Sequence, residues 1–317
     1  MNQFKNLQDV INYFSSEDKC RDMLEKMRFP DGRIDCPKCG VRGAWRKSDM
    51  KNFRCRDKKC SHVFSITVGT VMEGSKLPLS KWFTAIYLIT AHKKGISSCQ
   101  LARDLGIGQK AAWFMNHRIR LMLRDKANDP LSDVVEIDET YVGGKWANMS
   151  KKKRAIMSQN NVNNKIPVMG MVQRDGKAKL TLIGANTFKQ VVRKNVDKSA
   201  ILITDEHNGY QGLSTEYLIH ESINHSMQEF VRDGFHTNSV EGFFSLLKRQ
   251  IFGIHHQVSP KHLQRYCDEM AFRFNSRKIK DTDRFVMSLQ QTAGRLKWND
   301  LIAKPPTKWD FPKQKNE

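Results

Sequence analysis

Asp138, Asp205 and Glu241 are the residues whose types and settings could do chemistry together. Asp138 closes the apolar run VVEID and Asp205 closes ILITD, while Glu241 lies in TNSVEGFFSLLKR, whose apolar residues recur at helical spacing. Two strand-end aspartates and a helix-borne glutamate can converge on a pair of divalent cations. Such a pair clamps the attacking and leaving oxygens of an in-line phosphoryl displacement. Two ions of Mg²⁺ or Mn²⁺ suit this donor set, because hard cations take carboxylate oxygens and leave room for water and phosphate. Side chains alternate along a strand, so Glu136 and Asp138 share a face and Glu139 points the other way. Glu136, Glu139 and Glu206 read as ordinary solvated acids. Asn238, one turn before Glu241, is an alternative third oxygen ligand.

A second constellation is Cys36-x-x-Cys39 followed by Cys55 and Cys60. Two cysteine pairs at this separation form the pattern of a tetrahedral structural zinc site, and thiolates suit Zn²⁺. The second pair is looser than a two-residue spacer, so His62 is a substitute ligand to weigh against Cys60. The remaining three of the seven cysteines, Cys20, Cys99 and Cys267, are scattered and read as buried thiols.

The chain of 317 residues carries 54 Lys+Arg against 33 Asp+Glu, a net charge of +21. That excess favours a polyanion as partner, with phosphate contacts dominating affinity. No apolar run reaches the ~20 residues that span a bilayer, and the N-terminus lacks an apolar signal core. A cytoplasmic, nucleoid-associated protein without a membrane partner is the expectation.

These sites need elements to hold them. Residues 1–32 read as an N-terminal helical segment, from Phe4, Leu7, Val10, Ile11 and Phe14. Residues 33–73 carry the cysteines among short β-leaning pieces. Residues 79–124 read as helices, with Ser80 as N-cap of the first and a turn through Gly106-Ile107-Gly108 between the last two. In that helix-turn-helix reading, the second helix presents Gln109, Lys110, Asn116 and Arg120 outward to base edges or phosphates. From 133 the pattern turns to strands: VVEIDETYV, then IPVMGMVQ and AKLTLIGA around a hairpin at Arg174–Lys177, a helix, AILITD, a further strand in EYLIHESI, and helices from Asn238 and Pro260. This is a mixed α/β order. It is assigned to 133–295, with a basic tail at 296–317.

The stretches EIDETYVGGK, ITDEHNGYQGL and HTNSVEGFFSLLKR, with CPKCG ahead of them, resemble the ISXO-like insertion-sequence transposases, DDE-type enzymes with an N-terminal zinc ribbon. The resemblance runs from CPKCG to FNSRK. It implies an RNase H-like catalytic domain preceded by a zinc ribbon and a helix-turn-helix that recognise terminal inverted repeats. It matches Asp138, Asp205 and Glu241 to the catalytic acids. It also matches Lys248 to the basic residue that contacts DNA near the terminus, with Arg249 beside it. Double-stranded DNA, as element ends and target, is the implied partner, bound by a homo-oligomer because two ends must be synapsed. The basic stretch Lys145–Lys165 would be a flap beside the site. The competing readings are a non-enzymatic zinc-containing DNA-binding regulator or decayed transposase, and an RNase H-like nuclease that does not join strands.

Overall fold

The computed structural model describes residues 4–144, 149–159, 165–184, 187–223, 231 and 235–303. They divide into two compact units, one of residues up to 123 together with 278–303, the other of residues 124–277.

The first unit begins with helices α1 (Leu7–Tyr13) and α2 (Glu17–Arg28). An antiparallel ribbon follows, in the order β1 (Trp45–Arg46), β2 (Asn52–Arg54), β3 (Val63–Ser65). Then come α3 (Leu79–Ala91), α4 (Ser98–Leu105) and α5 (Gln109–Met122). Helix α3 starts one residue before the expected cap. Pro78 occupies the N-cap position, and the carboxylate of Glu17 accepts the Leu79 and Ser80 backbone N–H groups. Helices α4 and α5 form the expected pair: Ser97 caps α4, and Gly106 ends it in the left-handed region at φ 58, where a side chain is costly.

The second unit is built on β4 (Val134–Val142), α6 (Lys151–Gln159), β5 (Ile166–Gln173), β6 (Ala178–Leu182), α7 (Phe188–Asn195), β7 (Ile201–Asp205), β8 (Ile219–Ile223), α8 (Asn238–Gln250) and α9 (Pro260–Asn275). The sheet order is β6-β5-β4-β7-β8. The β4–β5 and β5–β6 pairs are antiparallel, and the β4–β7 and β7–β8 pairs are parallel. The hairpin turns at Asp175, φ 56. This mixed five-stranded sheet is the arrangement expected of an RNase H-like domain. Alternation along the strands fills both faces. Val135, Ile137, Met169 and Met171 pack with α7, while Val142, Val168 and Val172 pack with Val240, Phe243, Phe244 and Leu247 of α8.

Residues 278–295, expected with the sheet, instead belong to the N-terminal unit. Helix α10 (Asp281–Leu289) lays Phe285 against Phe14, Phe83 and Tyr87, and Arg284 donates to the Thr90 carbonyl. The expected tail contains a further helix, α11 (Trp298–Ile302), and its part beyond 303 lies outside the described residues. An aromatic face outweighs sequence proximity here, since burial is set by the partner that covers it.

One close approach ties α8 to the sheet. Gly170 pairs in register with Asp138. A Cβ at Gly170 would lie 2.6 Å from Phe244 Cε1 and 2.9 Å from Val240 Cγ2. Gly170→Ala is therefore expected to cost about 1–3 kcal/mol by overpacking, read as a lower urea midpoint with an unchanged slope. A midpoint equal to wild type would show that α8 is not seated so closely.

Candidate active site

The site forms where the parallel ladder between β4 and β7 ends. The last paired residues are Glu136 and Ile203. Carrying that register on by two residues sets Asp138 beside Asp205, the final residue of β7. Asp138 is thus a mid-strand residue of β4, not a strand end, and it is half-buried. Its Oδ1 accepts the Glu139 backbone N–H at 2.6 Å.

Asp138, Glu139 and Asp205 each bring a carboxylate oxygen within 4.8 Å of the others. Burial is the main force pushing the Asp138 carboxyl up to about 7; the like charges of Asp205, Glu139 and Glu241 add to it, against the Glu139 N–H. Glu139 is pushed up as well, by burial and then by Asp205. It lies on the opposite face of β4 from Asp138, where Tyr210 Oη donates to it at 2.9 Å. His207 Nε2 is 3.7 Å from it. His207 Nδ1 accepts the Gly209 N–H, so the ring proton sits on Nε2, facing Glu139. The ring stacks on Phe188 at 4.9 Å.

Glu241 occupies the first turn of α8, exposed, with Thr237 Oγ1 3.3 Å from its carboxylate. It is near enough to raise Asp138 but stands outside the tight three-acid group. Asn238 is the first residue of α8 and is exposed. Lys248 and Arg249 are exposed on its last turn.

Two expectations about neighbouring acids are corrected. Glu139 is not a solvated bystander, because the turn after β7 folds Tyr210 and His207 over it. Glu136 is fully buried and paired with Arg174 at 2.9 Å. No periodicity in the strand signals either, since their partners come from distant segments. Glu206 is exposed, as expected.

The helical pair is corrected likewise. Gln109 and Lys110 are exposed at the start of α5, with Lys110 Nζ 4.8 Å from the Trp298 ring centre. Asn116 and Arg120, expected to point outward, are each 2% exposed. Helix α5 is covered on more than one side, with Trp298 against Trp113 and Phe114. Of the stretch 145–165, residues 151–159 form α6; 145–148 and 160–164 lie outside the described residues.

In the ribbon, Cys36 and Cys60 sulfurs are 3.9 Å apart and those of Cys39 and Cys55 3.4 Å apart. All four sulfurs lie within 4.8 Å of one another. Tetrahedral Zn–S bonds of about 2.3 Å require sulfurs about 3.8 Å apart, so the four cysteines fit a zinc ion. Cys60 completes the group, and His62 stacks on Phe64 instead.

Comparison with known proteins agrees with this geometry. Residues 130–275 match the model of the ISXO2-like transposase domain, and residues 15–63 match the transposase zinc-ribbon domain. The chain carries an ISXO2-like transposase domain behind a transposase zinc ribbon. This transposase is also 27% identical over 281 residues to a protein of Halobacterium salinarum described as an uncharacterized protein in transposable element ISH50, across 83% of this chain and 92% of the relative. Among the described residues, no helix of the transposase is long and apolar enough to cross a membrane.

The raised Asp138 has a consequence for the metal-free transposase. Below about pH 4 the carboxyl is protonated both folded and unfolded and costs nothing. Between there and about 7 the unfolded chain gains by ionising while the folded one resists, so stability falls across that window and stays lower above it. Asp138→Asn keeps an oxygen for the Glu139 N–H and removes the charge. It is expected to raise the stability of the metal-free protein at pH 8 by on the order of 2 kcal/mol, with little change at pH 4. Thermal unfolding in chelator at the two pH values measures this, and equal stability of wild type and variant at pH 8 would contradict it.

Proposed function

We propose that this transposase binds the terminal inverted repeats of its insertion sequence and catalyses metal-dependent end cleavage followed by strand transfer into target DNA. The observation that carries the reading is the convergence of Asp138, Glu139 and Asp205, with Glu241 of α8 near enough for its charge to act on Asp138. Burying like-charged carboxylates together is unfavourable unless a cation neutralises them. The all-oxygen donor set fits Mg²⁺ or Mn²⁺. Two such ions, when bound, supply the charge that lowers the pKa of an attacking water or 3′-hydroxyl and stabilises the departing 3′-oxygen.

The protein's own residues do the rest. Asp138 and Asp205 hold the central ligand oxygens on rigid strands, and Glu241 is the third ligand, ahead of Asn238. Tyr210 holds the Glu139 carboxylate by a hydrogen bond, and the His207 Nε2–H faces it. Lys248 and Arg249 contact DNA backbone near the element end, and Gln109 and Lys110 contact DNA from the start of α5. The four cysteines hold a structural Zn²⁺. Pairing two ends requires a homo-oligomer on DNA, working in the cytoplasm at the nucleoid.

The deciding experiment supplies purified protein, Mg²⁺ or Mn²⁺, and duplexes carrying the element's own ends. Nicking at the terminus, and joining of a pre-cut end to a target plasmid, are expected. Nicking without joining would make it a nuclease. Specific binding with neither would make it a DNA-binding regulator or a decayed transposase.

A further inference from the structure

We infer that Glu136 is a positioning residue that holds α8, and with it Glu241, in place beside Asp138. The inference rests on the proposed role of Glu241 as a metal ligand.

A helix leaves its first backbone N–H groups without partners, and an N-cap side chain ordinarily accepts from the second or third of them. Thr237, the N-cap of α8, makes no such bond. The acceptor comes from the sheet. Glu136 Oε2 takes the Ser239 N–H at 2.8 Å and the Val240 N–H at 3.2 Å, and Oε1 takes the Ser239 hydroxyl at 2.9 Å. Arg174 Nε donates to Oε1 at 2.9 Å and His236 Nδ1 lies 3.4 Å from it. Glu136 is 0% exposed. A buried negative charge at a helix N-terminus is favoured by the helix dipole and by charge-assisted hydrogen bonds.

The placement of this cap gives it a function. Glu136 stands two residues from Asp138 on the same face of β4, and Val240 immediately precedes Glu241. The bonds therefore tie the two carboxylate-bearing segments together next to the carboxylates themselves. Before metal arrives, Glu241 and Asp138 repel each other. The first turn of α8 would relieve that repulsion by moving away or fraying, and the Glu136 cap opposes it. Gly170, across from Asp138, lets α8 lie close enough for the cap to form.

The test is Mn²⁺ binding to the full-length, zinc-loaded protein, followed by electron paramagnetic resonance, in Glu136→Ala, Glu241→Gln and the double variant. Glu136→Ala is expected to weaken Mn²⁺ binding by about 10-fold, the scale seen for groups that orient metal ligands. The double variant should bind no more than about twofold worse than Glu241→Gln alone, because coupled sites are non-additive. A merely structural loss would lower the melting temperature without that coupling.

Wild-type Mn²⁺ affinity in Glu136→Ala, or additive losses in the double variant, overturns the inference alone. Wild-type affinity in Glu241→Gln overturns the reading of Glu241 as a ligand and this inference with it. Should Glu136→Ala not fold, Ser239→Ala removes one accepted bond and leaves the carboxylate in place. It is expected to weaken Mn²⁺ binding severalfold, again without further loss on Glu241→Gln, and unchanged affinity in it overturns the inference.

Discussion

Asp205→Ala is expected to abolish end cleavage, by at least about 10³-fold, equivalent to about 4 kcal/mol of barrier, while affinity for element-end DNA changes by less than about twofold. Asp205 ends β7 within 4.8 Å of both Asp138 and Glu139, so its loss removes one of the three converging carboxylates. The cations proposed to contact phosphate lie on other elements, Lys110 on α5 and Lys248 and Arg249 at the far end of α8. A second consequence has the opposite sign. Asp205 is the first of the like charges acting on Asp138 and the first acting on Glu139. Removing it relieves both, so metal-free Asp205→Ala should melt at a higher temperature than metal-free wild type. Mn²⁺ should then stabilise the wild type, in proportion to occupancy, and leave the variant nearly unmoved. Gel-shift, cleavage and melting measurements on one preparation read all three. Cleavage at the wild-type rate would remove the acids from the mechanism.

Removing zinc is expected to unfold the ribbon while leaving the sheet unit folded. The ribbon buries few apolar side chains, chiefly Ile34, Phe53, Phe64 and Ile66. Its strands are only two or three residues long. So small a core cannot offset its own chain entropy. Metal binding to such modules contributes on the order of 10 kcal/mol. Cys36→Ser or Cys55→Ser, or a strong chelator, should release the metal and make residues 33–66 open to protease and to rapid amide exchange. Amides of β4, β5 and β7 should keep their protection. Retained ribbon protection in a zinc-free preparation would mean that the cysteines brace the fold by packing alone.

Local order carried much of this protein's organisation. The Cys36, Cys39, Cys55 and Cys60 spacing, the turn at Gly106, the hairpin at Asp175 and the strand-borne Asp138 and Asp205 were all legible, because each depends on neighbours within a few residues. Face alternation along β4 was legible too. What alternation could not supply was the occupant of each face. Glu136 and Glu139 look alike in VVEIDET, yet one meets the N-terminus of α8 and the other meets Tyr210 and His207. Asn116 and Arg120 stand on a helix whose apolar residues mark one buried side. Trp298, from a segment some 180 positions later, lies against that helix as well.

By itself, then, the sequence determined the zinc-ribbon spacing, the strand and helix order, the excess of positive charge and two of the proposed metal-binding acids. These follow from periodicity and short-range spacing. Only the tertiary structure decided that Glu139 joins those acids, that Glu136 anchors α8, that half of the expected α5 contacts are buried, and that α10 packs with the N-terminal helices. Each of these depends on which distant surface excludes water from a side chain, and burial is a property of pairs of elements that no single element carries.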